Sequence, residues 1–388
     1  MAVPTFKPRR NAAPNNLSNV LVYILAVVGV GLLVYFGGSL FGGVTNLVGG
    51  KSGLVVETPN TTAEVYFDDN YLGRTPFEST EVRSGDHKVT IKNEDVSYDV
   101  QISFARGSQV AMVRDLGVSD AFSSGLNLWL ENSDSTAVLS VVSEPSGAHV
   151  FIDNTELGTT PFSTSTLSEG EYDLRLEATG FETQTSRIKI QEDHKLNVVV
   201  DMFPVVAPSR VDLLSGAASL YDIYSSESAV TSNVNDWARA VAYWNQTRGI
   251  ALGDTGVNKE LVFDYLIDFN GRIYDRGGED VTSSPEELGE VVRGAYLRRV
   301  SDGPGITEAA ETALATVNAS LGARAQITGT PEGWVNVRAE ASLDGEIVQR
   351  VNEGETYPIL EETPAWTRIK ISDTVQGWVY STYVTVAE

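Results

Sequence analysis

The chain has no cysteine, which excludes disulfides, thiolate nucleophiles, cysteine-held iron–sulfur clusters and a lipid-modified cysteine anchor. Histidine is nearly as scarce: His87, His149 and His194 are the only three in 388 residues. Positive charge is short too. Lys and Arg number 28 against 52 Asp and Glu, a formal charge of −24, and the cationic cluster Lys7, Arg9 and Arg10 sits at the N-terminus. Without a basic patch to neutralise phosphates, nucleic acid is not an expected partner. An acidic body stays soluble and is repelled by anionic headgroups, which suits a part projecting away from a membrane surface. No Gly-x-Ser-x-Gly elbow, phosphate-cradling glycine loop or His-Glu-x-x-His occurs, so no cofactor, no metal and no catalytic residue is expected.

Between Arg10 and Lys51 charge is absent altogether, and Val20 to Phe36 is almost wholly apolar, with the run continuing through Leu40 and Phe41. At about 1.5 Å rise per residue, roughly 20 such residues cross a bilayer core. The expectation is a cytoplasmic tail at 1–19 and a transmembrane helix within 20–47, with the N-terminus inside by the positive-inside rule and the bulk of the chain extracytoplasmic. The alternative is a secretory signal removed after Gly37, Gly38 and Ser39; the length of the run and the missing A-x-A pattern favour retention. At 388 residues the chain exceeds a single ordinary core, and several domains are expected.

An internal repeat divides the next part. Tyr66-Phe-Asp-Asp-Asn-Tyr-Leu-Gly-Arg-Thr-Pro-Phe77 recurs as Phe151-Ile-Asp-Asn-Thr-Glu-Leu-Gly-Thr-Thr-Pro-Phe162, with Pro59 and Pro145 ahead, Gly85 and Gly170 behind, and alternating strands following. In the second copy Asp153-Asn154 turns the chain, Gly158 supplies a backbone conformation costly for other residues, Pro161 stops strand pairing and Phe162 drops into the core. With Glu144-Pro-Ser-Gly-Ala148 as its lead-in, this pattern resembles the PEGA-domain family. The resemblance implies small surface β-sandwich modules of the bacterial envelope with no catalytic residues, here at 53–116 and 137–202. The first copy departs from the family at Thr58-Pro-Asn-Thr-Thr-Ala63. Residues 117–136, rich in Ser, Asn, Asp and Gly, read as a connector, with Leu126-Asn-Leu-Trp-Leu130 as a possible added strand.

Toward the C-terminus, Gly333-Trp-Val-Asn-Val-Arg338, Gly354-Glu355, Trp366-Thr-Arg-Ile-Lys370, Gly377-Trp-Val379 and Ser381-Thr-Tyr383 form short strands punctuated by turn residues, which predicts a small barrel over 326–388. Their order and spacing resemble bacterial SH3-like domains, and the resemblance implies attachment to peptidoglycan or its stem peptides through an aromatic-lined groove. Trp334, Trp366, Trp378, Tyr380 and Tyr383 are the candidates to line it, because aromatic faces bind the apolar sides of sugars and peptides. For Trp366 and Trp378 core packing is the favoured reading, since so small a barrel needs large residues to fill it, whereas Tyr380 and Tyr383 suit an exposed ridge.

Residues 203–230 read as linker and 231–322 as a small α+β domain. Val234, Trp237, Val241 and Trp244 share one helical face; Asp268-Phe-Asn-Gly271 is a hairpin signal; Ser284-Pro-Glu-Glu287 opens a helix through Tyr296; a last helix runs from Thr307 to Leu321. The segment Tyr265 to Gly278 looks like the strand-turn-strand of peptidoglycan amidases and recognition proteins. Those amidases bind zinc through histidines, and this segment has none. A carboxylate site from Asp264, Asp268 and Asp275 is conceivable, but beside a turn such acids are more often solvated strand residues.

The expected protein is mainly β and multidomain: transmembrane helix, two PEGA-like modules, α+β domain and SH3-like barrel. It is read as a non-enzymatic, membrane-anchored envelope protein that binds cell-wall peptidoglycan or surface components. The alternatives are a peptidoglycan-remodelling enzyme and a scaffold subunit of an envelope complex.

Overall fold

The computed structural model describes residues 50–133, 137–214, 220–288, 293–321, 324–372 and 374–387. The tail at 1–19 and the expected membrane helix at 20–47 lie outside the described residues, and among those described no helix is long and apolar enough to cross a membrane. The described fold is mainly β.

Seven strands build the first module: β1 (Lys51–Glu57), β2 (Glu64–Phe67), β3 (Asn70–Arg74), β4 (Phe77–Arg83), β5 (Gly85–Lys92), β6 (Ser97–Phe104) and β7 (Gln109–Asp115). After β8 (Ser124–Asn132), the second module repeats the plan with β9 (Val138–Glu144), β10 (His149–Ile152), β11 (Thr155–Thr159), β12 (Phe162–Thr164), β13 (Gly170–Glu177), β14 (Gln184–Ile190) and β15 (His194–Asp201). Each module has its own four-stranded sheet, β3-β2-β5-β6 and β11-β10-β13-β14.

The repeated motif is a piece of structural chemistry. Asp68-Asp69 and Asp153-Asn154 all take positive φ, between 45° and 64°, the backbone of a tight hairpin turn that matches strand twist. The first Asp of each pair then accepts a backbone N–H from the neighbouring strand, Lys88 at 3.1 Å and Asp173 at 2.9 Å. Gly73 and Gly158 leave room for a ring: a Cβ at either would lie 3.1 Å from Phe77 or Phe162. The buried Thr160 hydroxyl receives Ala148 N–H and meets Ser143 Oγ at 2.6 Å; Thr75 does the same with Ala63 and Thr58. The divergent lead-in of the first copy therefore keeps the hydroxyl that its turn needs.

The segment read as a connector holds the two modules together. β8 pairs antiparallel with β7 on one side and β15 on the other, giving one seven-stranded sheet in the order β12-β9-β15-β8-β7-β1-β4. Its alternating side chains serve two cores. Leu126, Leu128 and Leu130 pack into the second module, while Trp129 packs into the first and Asn127 donates to Tyr98 Oη there at 2.7 Å. Successive strand residues point to opposite faces, so the two four-stranded sheets cover opposite faces of the shared one. Arg114 and Asp201 lie in register on either side of Gly125. The buried guanidinium crosses the bare glycine, stacks 3.6 Å from the Tyr98 ring centroid and pairs with the Asp201 carboxylate. A Cβ at Gly125 would fall 2.3 Å from Arg114 Cδ, so only glycine leaves that path open.

The domain expected as α+β is built on parallel pairing and is an α/β domain: β17 (Leu220–Ser225), β21 (Gly294–Arg299) and β19 (Tyr265–Asp268) run parallel, and β20 (Ile273–Asp275) closes the sheet antiparallel in the order β17-β21-β19-β20. A two-stranded pair, β16 (Arg210–Val211) with β18 (Ala251–Leu252), lies beside it. Helices Val234–Thr247 and Glu308–Leu321 and the Asn270-Gly271 hairpin occur where expected. Two expectations change. Pro285–Leu288 is a single 3-10 turn, and Tyr296 belongs to the central strand β21, whose Gly294 to Leu297 are buried on both faces. A doubly buried parallel strand has a continuous apolar run and no period of two to betray it. Residues 203–214 of the expected linker are packed: Phe203, Val206, Ala207, Val211 and Leu214 lie in the α/β core, and Trp237 Nε1 donates to Val206 O at 2.8 Å.

The C-terminal barrel comprises β22 (Arg324–Ile327), β23 (Trp334–Arg338), β24 (Ile347–Asn352), β25 (Thr356–Glu362), β26 (Trp366–Lys370), β27 (Gln376–Tyr380) and β28 (Val384–Ala387), in the order β24-β23-β27-β26-β25-β22-β28. It meets the α/β domain where Tyr221 Oη donates to Glu355 Oε1 at 3.2 Å. The α/β domain in turn meets both repeat modules at Arg248, which pairs with Asp115 of the first and Glu182 of the second.

Candidate functional site

The acids of the α/β hairpin are engaged in building it. Asp268 is fully buried; its Oδ1 accepts the backbone N–H of Asn270 at 2.7 Å and of Arg272 at 3.0 Å, and Oδ2 accepts Tyr274 Oη at 2.8 Å. Burial, reinforced by this carboxylate, pushes the Tyr274 phenol well above its ordinary range, so it stays a donor. Asp264 holds Arg276 at 3.0 Å and Arg293 N–H at 2.9 Å, and Asp275 caps its own turn at Gly277 and Glu279. The histidines are apart from one another: His87 lies 2.7 Å from Asp68, His149 2.7 Å from Glu156, and His194 Nδ1 2.8 Å from Glu192 O. Among the described residues no cluster of His, Asp and Glu could hold a metal ion. Replacing Asp268 by alanine strands two backbone donors and a phenol in the interior. The expected loss is about 3 kcal/mol of stability, visible as a lowered thermal midpoint, with Asp268→Asn milder because it keeps an acceptor; equal stability of D268A and wild type would contradict this role.

Side chains along β23, β26 and β27 project alternately from the two faces. Val335, Val337, Ile369 and Val379 point toward the core, which sends Trp334, Asn336 and Arg338, Trp366, Arg368 and Lys370, and Gln376, Trp378 and Tyr380 to the outward face. Trp366 and Tyr380 are opposite each other in register, their ring centroids 5.4 Å apart and nearly perpendicular; Tyr383, in the single turn Ser381–Tyr383, lies 6.4 Å from Tyr380. The structure thus brings three of the five candidate aromatics into one ridge. Trp366 is its buried footing and Tyr380 its exposed member. Trp378 is one outward row along, directly opposite Arg338 on β23 and Arg368 on β26, with the Arg368 guanidinium 6.0 Å from its ring centroid. Trp334 stands apart toward β24, capped by Arg350 at 4.0 Å.

Selection of aromatics by residue type misses the arginines among them. The signal is the period of two itself: Trp334-x-Asn-x-Arg338 and Trp366-x-Arg-x-Lys370 place ring and cation on one face. An indole beneath a guanidinium contributes a cation–π attraction and holds the cation's plane in place.

Comparison with known families agrees with this partition. The PEGA domain family model matches residues 51–113 and 136–204, and the Bacterial SH3 domain model matches residues 333–385. The chain carries two PEGA domains and a C-terminal bacterial SH3 domain. No curated protein and no solved structure matches it.

Proposed function

We propose that this chain is a non-enzymatic envelope protein, anchored in the membrane by the apolar segment at 20–47, that holds cell-wall peptidoglycan through the outward aromatic face of its SH3 barrel. The observation that carries the reading is the ridge of Trp366, Tyr380 and Tyr383 with Trp378 beside it, on a bacterial SH3 domain. Rings fixed on adjacent strands lose little conformational freedom on binding and offer broad faces to sugars and peptides. The fused PEGA pair supports the reading as a stiff, surface-type stalk with shared hydrogen bonding and no free hinge at β8. The engagement of Asp264, Asp268 and Asp275 in their own hairpin supports a non-catalytic α/β domain.

The test is sedimentation of the full chain, in detergent, with isolated cell walls. Wild type is expected in the pellet, and the double variant Trp378→Ala, Tyr380→Ala is expected to bind roughly tenfold or more weakly, as loss of aromatic anchors does. Wild type remaining in the supernatant, or a variant that pellets equally, overturns the reading.

A second reading, a scaffold subunit of an envelope complex, rests on a different surface. The outer strands β3 and β11 expose Tyr71 and Leu72, and Leu157 at the equivalent repeat position, along unpaired sheet edges. Capture of envelope proteins that is lost with L72D and L157D would favour it.

A further inference from the structure

Four strands of the barrel run against the charge of the rest of the chain. The protein holds 52 Asp and Glu, yet β23, β24, β26 and β27 contain no carboxylate at all. Their cations, Arg338, Arg350, Arg368 and Lys370, occupy outward positions, and the register lines up Ile347, Arg338, Trp378, Arg368 and Glu361 in one row across five strands. With neighbouring strands about 4.8 Å apart, the two arginines that flank Trp378 stand roughly 10 Å from each other at their roots.

Each guanidinium is steered by a contact that uses part of its fork. Arg338 Nη1 donates to Gly345 O at 2.7 Å, Arg350 Nε to Asn336 Oδ1 at 3.3 Å while lying over Trp334, and Arg368 rests 3.6 Å from Glu361 on the solvated rim. A guanidinium has five donors in a rigid plane, so each retains donors suited to paired oxygens. The rim ion pair with Glu361 is exposed and worth little, so a ligand oxygen can compete with it.

Building on the wall-binding reading, we propose that this face recognises an anionic ligand: carboxylate or phosphate oxygens on Arg338 and Arg368, with an apolar ring or sugar face over Trp378 between them. In a cell wall that chemistry is offered by the carboxylates of stem peptides or by phosphodiesters of wall polymers. The net acidic remainder of the chain repels the same ligand, which favours capture at these strands.

The test uses the full chain and small defined probes, since a long polyanion would also sense the acidic body. Tryptophan fluorescence is titrated with N-acetylated triglutamate, with tripolyphosphate and with neutral N-acetylated triglycine amide. The expected result is a saturable change with one or both anions and none with triglycine, weakened severalfold between low and physiological salt. R368Q, and separately R338Q, should weaken it roughly tenfold, while R210Q on the α/β domain leaves it unchanged. R368Q keeps the test sound if R338Q disturbs its turn. The preferred anion identifies the source, stem-peptide carboxylate or polymer phosphate. No response to either anion, or an equal response from R368Q and wild type, overturns the inference. Sedimentation with walls could then still succeed through the aromatics, so the two claims fail separately.

Discussion

Arg248→Met is expected to free the α/β domain from both PEGA modules, at a cost of about 3 to 5 kcal/mol, the range for removing one partner from a buried ionic cluster. Arg248 reaches Asp115 at 2.9 Å and Glu182 at 2.6 Å, with its guanidinium 4.4 Å from the Phe203 ring centroid. Asp115 also receives Asn60 Nδ2 at 3.0 Å and the Tyr243 hydroxyl. Burial works against the Arg248 charge, but Glu182 and Asp115 outweigh it and hold its pKa above the ordinary arginine value. Methionine fills similar space and leaves two acids facing each other without a cation. Calorimetry should then resolve two unfolding transitions in place of one cooperative event, and amide exchange should accelerate at Phe203 and along Val234–Thr247. R248K, which keeps charge without the fork, should recover part of the loss. A single transition at the wild-type midpoint would contradict the proposed junction.

The other large effect comes from neighbours in one strand that act on different domains. Leu128→Ala, at a buried position, and Trp129→Ala, where a large half-buried ring packs against a core, are each expected to cost about 3 kcal/mol. Leu128 sits in the core of the second module and Trp129 against that of the first. Exchange protection should therefore fall in β10, β13 and β14 for L128A, and in β2, β5 and β6 for W129A. The same pattern of loss from both variants would refute the shared strand.

The parts of this fold legible in the sequence are those where a local rule and the tertiary environment agree. The repeated Asp turn, the Asn270-Gly271 hairpin and the helix carrying Trp237 and Trp244 each satisfy their own short-range chemistry. β8 is different. Leu126-Asn-Leu-Trp-Leu130 alternates as a strand does, but alternation cannot reveal that both faces are covered, by two separate cores, or that Gly125 is a channel for Arg114. Residues 203–214 pack as an extended wall against Trp237 and follow neither helical nor strand period, so they resemble a linker. Tyr296 was masked by the opposite problem, a capping signal at Ser284 pointing to a helix where long-range pairing with β17 and β19 prevails.

At the candidate site, the five aromatics could be named from residue type, whereas their grouping depends on which strands are neighbours. Trp366 and Tyr380 are fourteen positions apart and become a pair only through the β26–β27 register. The arginines of the same face emerge once strand parity is read alongside composition.

Oxidative footprinting of the tryptophans, on the full chain with and without isolated cell walls, tests the wall-binding account most directly. The account expects Trp378 to be shielded when walls are present while Trp129, packed against the first PEGA core, and Trp237, within the α/β core, react as before. Binding that leaves Trp378 as reactive as in the free protein would place the wall contact elsewhere and contradict it.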